Sequence, residues 1–291
     1  MIKYFTRYLN RYKLHPVELQ DDFYKIIFEN DSGSFDVTKN ISLTSLNKLT
    51  VGIHLGAVEP SVKNNTLFIF KNNTLKSKLE LKPIQIHPSK IETSIYFFEI
   101  INAGVKGRRI KKYFDIAFLH LKNVTNTKSK NFIVPAKTLF SLFAFCIKPR
   151  PVYVACIGNL QNGDVFPIDI TGNISEEYYF FSVRKSSPAV KKIIELKKVT
   201  LCLVPFNNKN EVYSLGKHHK NGKLNFDSVS FSVITSNEFK IPVPGFVINV
   251  NELKIVDYFD CGVHTVFYSQ SEKFSKYSNE TPLAHTPWYN L

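Results

Sequence analysis

Glycine and proline are sparse in this 291-residue chain, at 12 and 14, and no apolar heptad persists, which excludes collagen and coiled coil. Cysteine is rarer still. Cys146, Cys156, Cys202 and Cys261 lie far apart with no CxxC pair, and three of them sit in apolar strings such as VYVACIG and TLCLV. That placement predicts buried thiols and excludes a disulfide framework or a zinc finger. Long apolar runs are missing: the most apolar window, 138–147, is about half of the roughly 20 residues a membrane helix needs. The start, MIKYFTRYLNRYKLHPVELQDD, carries no apolar stretch of signal-peptide length before acidic residues arrive, so the expectation is a cytoplasmic protein with no membrane partner. The GxSxG, HExxH, P-loop and GxGxxG patterns are all absent, which removes the nucleophile, zinc-protease, triphosphate and Rossmann readings. The adjacent His218 and His219 lack a nearby third ligand, so no metal site is expected.

Apolar residues make up 44% and aromatics 14%, with 25 Phe and 14 Tyr, enough to fill the cores of two domains. Acidic residues are outnumbered 24 to 38 by Lys and Arg, for a net charge of +14. The abundance of Lys, Asn, Ile and Phe, residues that AT-rich codons favour, accounts for part of that charge. Residues 1–134 carry 21 Lys/Arg against 11 Asp/Glu, and 135–291 carry 17 against 13. The densest block, KGRRIKK (106–112), reads as a basic hairpin loop. Binding to nucleic acid would need aromatics exposed beside such cations, but the aromatics lie inside strand-like strings such as SIYFFE (94–99), so nucleic acid is not an expected partner.

Most of the periodicity is strand. FYKIIFE (23–29), TVGIHLG (50–56), TLFIFK (66–71), TSIYFFEI (93–100) and FDIAFLHL (114–121) mark the first half. PVYVACIG (151–158), YYFFSVR (178–184), VTLCLVPF (199–206), SVSFSVIT (228–235), FVINVNELKIVDYF (246–259) and HTVFYSQ (264–270) mark the second. Strict alternation in SVSFSVIT predicts a strand with one wet face. Two stretches carry helical spacing: 135–147, with Leu139, Leu142, Phe143 and Cys146, and 187–198. The polar stretch KNVTNTKSKN (122–131) sets a domain boundary, giving 1–134 as a β-rich domain of unassigned role and 135–291 as a second domain. No internal repeat is evident in the sequence.

Within SVRKSSPAVKKIIELKK (182–198) a strand ends near Arg184, Ser187 suits an N-cap, and Pro188 suits the first helical position. A helix N-terminus offers unpaired N–H groups and about half a positive charge. Arg184, Lys185, Lys191 and Lys192 add cations where Asp or Glu would be the ordinary choice, so an anion, a phosphate above all, is expected there. The alternative is a capped helix whose lysines point to water.

Residues 135–270 also resemble the flavin reductase-like, FMN-binding split-barrel family. The resemblance rests on an opening helix followed by KPRPVYVACI (148–157), the hairpin LQNGDVFP (160–167), YFFSVRKSS (179–187), VTLCLVP (199–205) and IVDYFDCGVHTVFY (255–268) in that order. It implies a mainly β fold, a C-terminal split barrel with one or two flanking helices, preceded by the β-rich first domain. It further implies a homodimer that holds FMN and exchanges hydride with NAD(P)H. On the matching positions, Arg184, Ser186 and Ser187 fall on the turn that meets the flavin phosphate, with Lys185 and Lys192 beside them as further candidate ligands by charge, Thr171 and Asn173 flank the flavin, and His264 lies near flavin and nicotinamide as the candidate catalytic residue. This chain departs from the family pattern at Asp169, Ala189 and Lys192, and a carboxylate at Asp169 must point away from an anionic cofactor. Those departures leave a second expectation, a non-catalytic binding or scaffold module that kept the barrel and lost the flavin. Trp288, the single Trp, is expected to pack on a neighbouring subunit.

Overall fold

The computed structural model describes residues 14–19, 23–46, 48–61, 63–84, 94–107, six positions between 113 and 121, 134–218 and 222–287. Arg108 to Lys112 and Trp288 lie outside them. The chain is mainly β. In the first half β1 (Leu14–Glu18) precedes β2 (Tyr24–Asn30), β3 (Gly33–Asp36), β4 (Ile41–Leu46), β5 (Leu49–His54), β6 (Asn65–Lys71), β7 (Thr74–Ile84) and β8 (Ile95–Val105). After α1 (Ala136–Phe145) come β9 (Arg150–Pro151), β10 (Tyr153–Ile157), β11 (Asp164–Ile168), β12 (Thr171–Asn173), β13 (Tyr178–Arg184), α2 (Pro188–Leu196) and β14 (Lys198–Leu203). The remainder is α3 (Lys209–His218), β15 (Val233–Thr235), β16 (Pro242–Pro244), β17 (Asn249–Cys261), β18 (His264–Lys276) and β19 (Leu283–Pro287).

Two seven-stranded antiparallel sheets dominate, in the orders β3-β2-β6-β7-β8-β5-β4 and β11-β10-β14-β17-β18-β13-β12. In each, the two edge strands are consecutive in the chain. A flat seven-stranded sheet would hold its edges about 29 Å apart. Ile168 and Thr171 are three residues apart, a reach of about 11 Å at most, so the second sheet curls until its edges meet. The five residue steps from Asp36 to Ile41, a reach of about 18 Å at most, curl the first sheet in the same way. Each half is therefore a barrel split along one seam.

The first core gathers Ile26, Phe28, Val51, Leu67 and Phe98 around Phe140, Leu142 and Phe143 of α1, so the helix that opens 135–147 packs on the first sheet. Both faces of the second sheet are covered. Ala189 and Ile193 of α2 pack against Phe181, Val183, Leu201 and Phe267, while Val212 and Leu215 of α3 and the segment 241–247 cover Val154, Cys156 and Cys202. The two chain ends are laced together, because β19 pairs with both β1 and β9.

All four cysteines are free and buried. Two expected strands differ. The described positions of 114–121 are helical, since Phe114, Ala117 and Leu121 also satisfy a three- and four-residue spacing, an ambiguity inherent in short apolar runs. In SVSFSVIT only Val233–Thr235 is strand; the alternation of exposed serines with half-buried Val229, Phe231 and Val233 holds, but 228–232 has no neighbouring ladder to join. Alternation directs side chains; a partner edge makes a strand.

Candidate functional site

The turn from β13 into α2 forms as the residues dictate. Ser187 is extended, and its hydroxyl accepts a hydrogen bond from the Ala189 N–H at 3.2 Å, while Pro188 occupies the first helical position. The Ser187 N–H donates to Arg184 O at 2.9 Å and the Lys185 N–H donates to Val263 O, which ties the turn to the β17–β18 hairpin.

The cations around this turn have separate fates. Lys192 donates to Asn162 O, Asn162 Oδ1 and Gly222 O at 2.9–3.2 Å, so its three ammonium hydrogens clamp two loops. Lys191 sits 3.8 Å from Glu195 and Lys185 3.0 Å from Asp260, both solvent-exposed pairs of little energetic weight. Arg184 and Ser186 are exposed, and among the described residues their side chains have no hydrogen-bond or ion-pair partner.

Asp169 is engaged by Arg150 and His285. Its Oδ2 is 3.0 Å from Arg150 Nη2 and 2.8 Å from His285 Nδ1, and Arg150 Nη1 donates to the Asp169 carbonyl at 3.0 Å. Burial raises the Asp169 pKa, but the Arg150 charge and the His285 contact outweigh it and hold the carboxyl well below the usual range. The chain of contacts ends at the Tyr213 hydroxyl, 2.8 Å from His285 Nε2. Arg150, in the Pro-Arg-Pro stretch, had no role assigned from sequence. The only signal was a second unassigned charge, Asp169, where the resembled family has Ser.

His264 begins β18 opposite Arg184 in the ladder, 3% exposed, with Nδ1 3.5 Å from Ser45 Oγ of β4. Burial, followed by the Arg184 charge, lowers its pKa to about 4. It is neutral at pH 7 and enclosed between the two halves.

Thr171 and Asn173 line a different region, a cleft of about 270 Å³ bounded by Thr38 and Lys39 from the first half and by Lys148, Arg150 and Tyr153 from the second. Strand β4 connects the two regions. Ser42 meets Gly172 near the cleft, the Thr44 carbonyl accepts from Ser182, and Ser45 meets His264 beside the turn. At about 3.4 Å per residue the cleft and the turn are separated by roughly 10 Å. The expected site residues thus fall in two groups: Arg184, Lys185, Ser186, Ser187 and His264 in one, Thr171 and Asn173 in the other, with Lys192 committed elsewhere.

No protein-family model and no curated protein matches the chain. Solved structures of the flavin reductase-like split barrel do resemble it. A Streptomyces globisporus NADH:FAD oxidoreductase superposes with a TM-score of 0.47 and 14% identity, covering 54% of this chain and 94% of its own. An FMN-binding protein from Thermus thermophilus gives 0.42 and 15%, covering 49% and 84%. A flavoredoxin from Methanosarcina acetivorans gives 0.40 and 14%, covering 45% and 70%. Among the described residues no helix is long and apolar enough to cross a membrane.

Proposed function

We propose that the second barrel binds a flavin nucleotide, FMN in the simplest form, through its phosphate at the β13–α2 turn, and that the protein is an NAD(P)H-dependent flavin oxidoreductase. One observation carries this reading: Arg184 and Ser186 stand unpartnered at a capped helix N-terminus whose other cations are already engaged. The phosphate end of the cofactor fits these residues. Arg184 supplies a charge-assisted fork, Ser186 a hydroxyl, and the N-terminal end of α2 the positive end of its dipole. A phosphate there would also draw Lys185 from Asp260, since that pair is exposed and weak. When bound, the flavin supplies the hydride chemistry. His264 stays neutral and holds the β18 end against Ser45, a positioning role and not that of a proton donor. In this reading the junction that a reductase dimer would use is formed between the two halves of one chain.

The test is a fluorescence titration of FMN with the purified protein. Saturable quenching should weaken about tenfold or more in Arg184→Ala while the fold is retained, and NAD(P)H should be oxidised above background with added flavin. Absence of quenching removes the flavin site. Quenching without turnover favours instead a module that kept the barrel and the nucleotide but not the reaction, a reading that the enclosure of His264 supports.

A further inference from the structure

We infer that residues 24–105 are a second, diverged copy of the split barrel, and that this copy occupies, within one chain, the place a partner subunit would take against the second barrel. The ground is topological. Numbered in chain order within each half, β2–β8 lie in the order 2-1-5-6-7-4-3, and β10, β11, β12, β13, β14, β17 and β18 lie in the same order. All neighbouring strands in both sheets are antiparallel. A seven-stranded sheet admits very many orders, so two barrels that agree at every place are one design used twice.

The contact between the copies has the form of a two-fold interface, in which the same patch on each side meets its counterpart. In the first copy Ser42 of the third strand pairs with Gly52 of the fourth, and Gly52 pairs with Phe97 of the seventh. In the second copy Gly172, Phe180 and Tyr268 hold the same three places. Like then meets like. A Cβ on Gly172 would lie 3.0 Å from Ser42 Cβ, and a Cβ on Gly52 would lie 3.1 Å from the Phe180 ring. Phe97, Phe180 and Tyr268 share one buried cluster with Ile95, Ile174 and Val266. Polar contacts finish the junction, with Ser182 Oγ donating to Thr44 O at 2.8 Å and Thr50 Oγ1 lying 3.1 Å from Cys261 Sγ.

The side chains on this axis favour an intramolecular pairing over a homodimer. Phe180 fits because its counterpart is a glycine that leaves room for the ring. Two second barrels brought together on this face would set Phe180 against Phe180, an overpacked arrangement that disfavours the pairing. The copies have also diverged in their loops. Counting on from the Gly52–Phe180 pair, Pro60 falls at the place of Pro188, but Gly56, Ala57, Val58 and Glu59 stand where the second copy has Arg184, Lys185, Ser186 and Ser187. The first copy keeps the frame and has no cationic turn.

The experiment uses the full chain and no flavin, so its outcome is independent of the cofactor reading. Thr50→Cys places a thiol beside the native Cys261. Mild oxidation should produce a disulfide within one 33.4 kDa chain, seen as a faster-moving monomer on a non-reducing denaturing gel. A second variant, Ser42→Cys with Gly172→Cys, tests the axis directly and serves if the first fails to fold. Intrachain bridging is the expected result. A species of doubled mass cross-linked through these thiols, or thiols that stay free in the folded variants, would overturn the proposal.

Discussion

The two halves share one strand order and differ in almost everything attached to it. The second barrel carries α2 between its fourth and fifth strands and a long insertion between its fifth and sixth, and the proposed phosphate turn lies at the first of these. The first barrel joins the corresponding strands by 55–64, which contains no helix among its described residues, and by a two-residue turn at Asn72 and Asn73 with φ of 49° and 57°. Strand order is held by ladders of backbone hydrogen bonds, whereas a loop can be replaced without breaking any ladder. Function can then collect on one copy while the other serves as a wall.

The severest way to break this comparison is at the junction. Phe180→Ala removes the ring that seats against Gly52 and Phe97, and the lost burial and residual cavity should cost about 3–5 kcal/mol in chemical denaturation. A single cooperative transition is expected in the parent protein; its separation into two in this variant would reveal the halves as independent units.

A smaller effect comes from pH. His264 titrates near 4 in the folded protein against an ordinary 6.5, so below pH 6.5 the unfolded chain takes up a proton that the folded chain refuses. Stability should therefore fall as pH drops from 6.5 to about 4, by up to about 3 kcal/mol. Asp169 acts only below its ordinary 3.8, outside this window. His264→Gln should flatten the slope, and an unchanged slope would place its origin elsewhere.

The smallest effect separates the two loops. Ser187→Ala removes the α2 cap and should cost about 1 kcal/mol, read as a shift in denaturation midpoint. Glu59→Ala, at the matching place in the first barrel, should change stability by less than about 0.5 kcal/mol, because no helix begins there.

Much of this was legible in the residues. Phe and β-branched runs announced most of the strands, Ser187 and Pro188 announced α2, and apolar neighbours announced the buried thiols. The β13–α2 turn was legible as well, because capping and charge are local. The sequence did not reveal that Lys192 would be consumed by Asn162 and Gly222, which lie 30 residues away on either side. Nor did it reveal that Asp169 would be neutralised by Arg150 and His285, 19 and 116 residues distant. Single-chain patterns hold no record of such distances.

The sequence by itself determined the β class and the helix start with its cations, since each follows from local propensity and period. The tertiary structure alone decided the rest. Only closure of the sheets shows that β11 and β12, joined by two residues, are opposite edges of one barrel. Only the shared order of strands in the two sheets marks the halves as copies, because strand order survives divergence that erases side-chain identity. The physical reason is that backbone ladders constrain topology while tolerating any apolar side chain that fills the space.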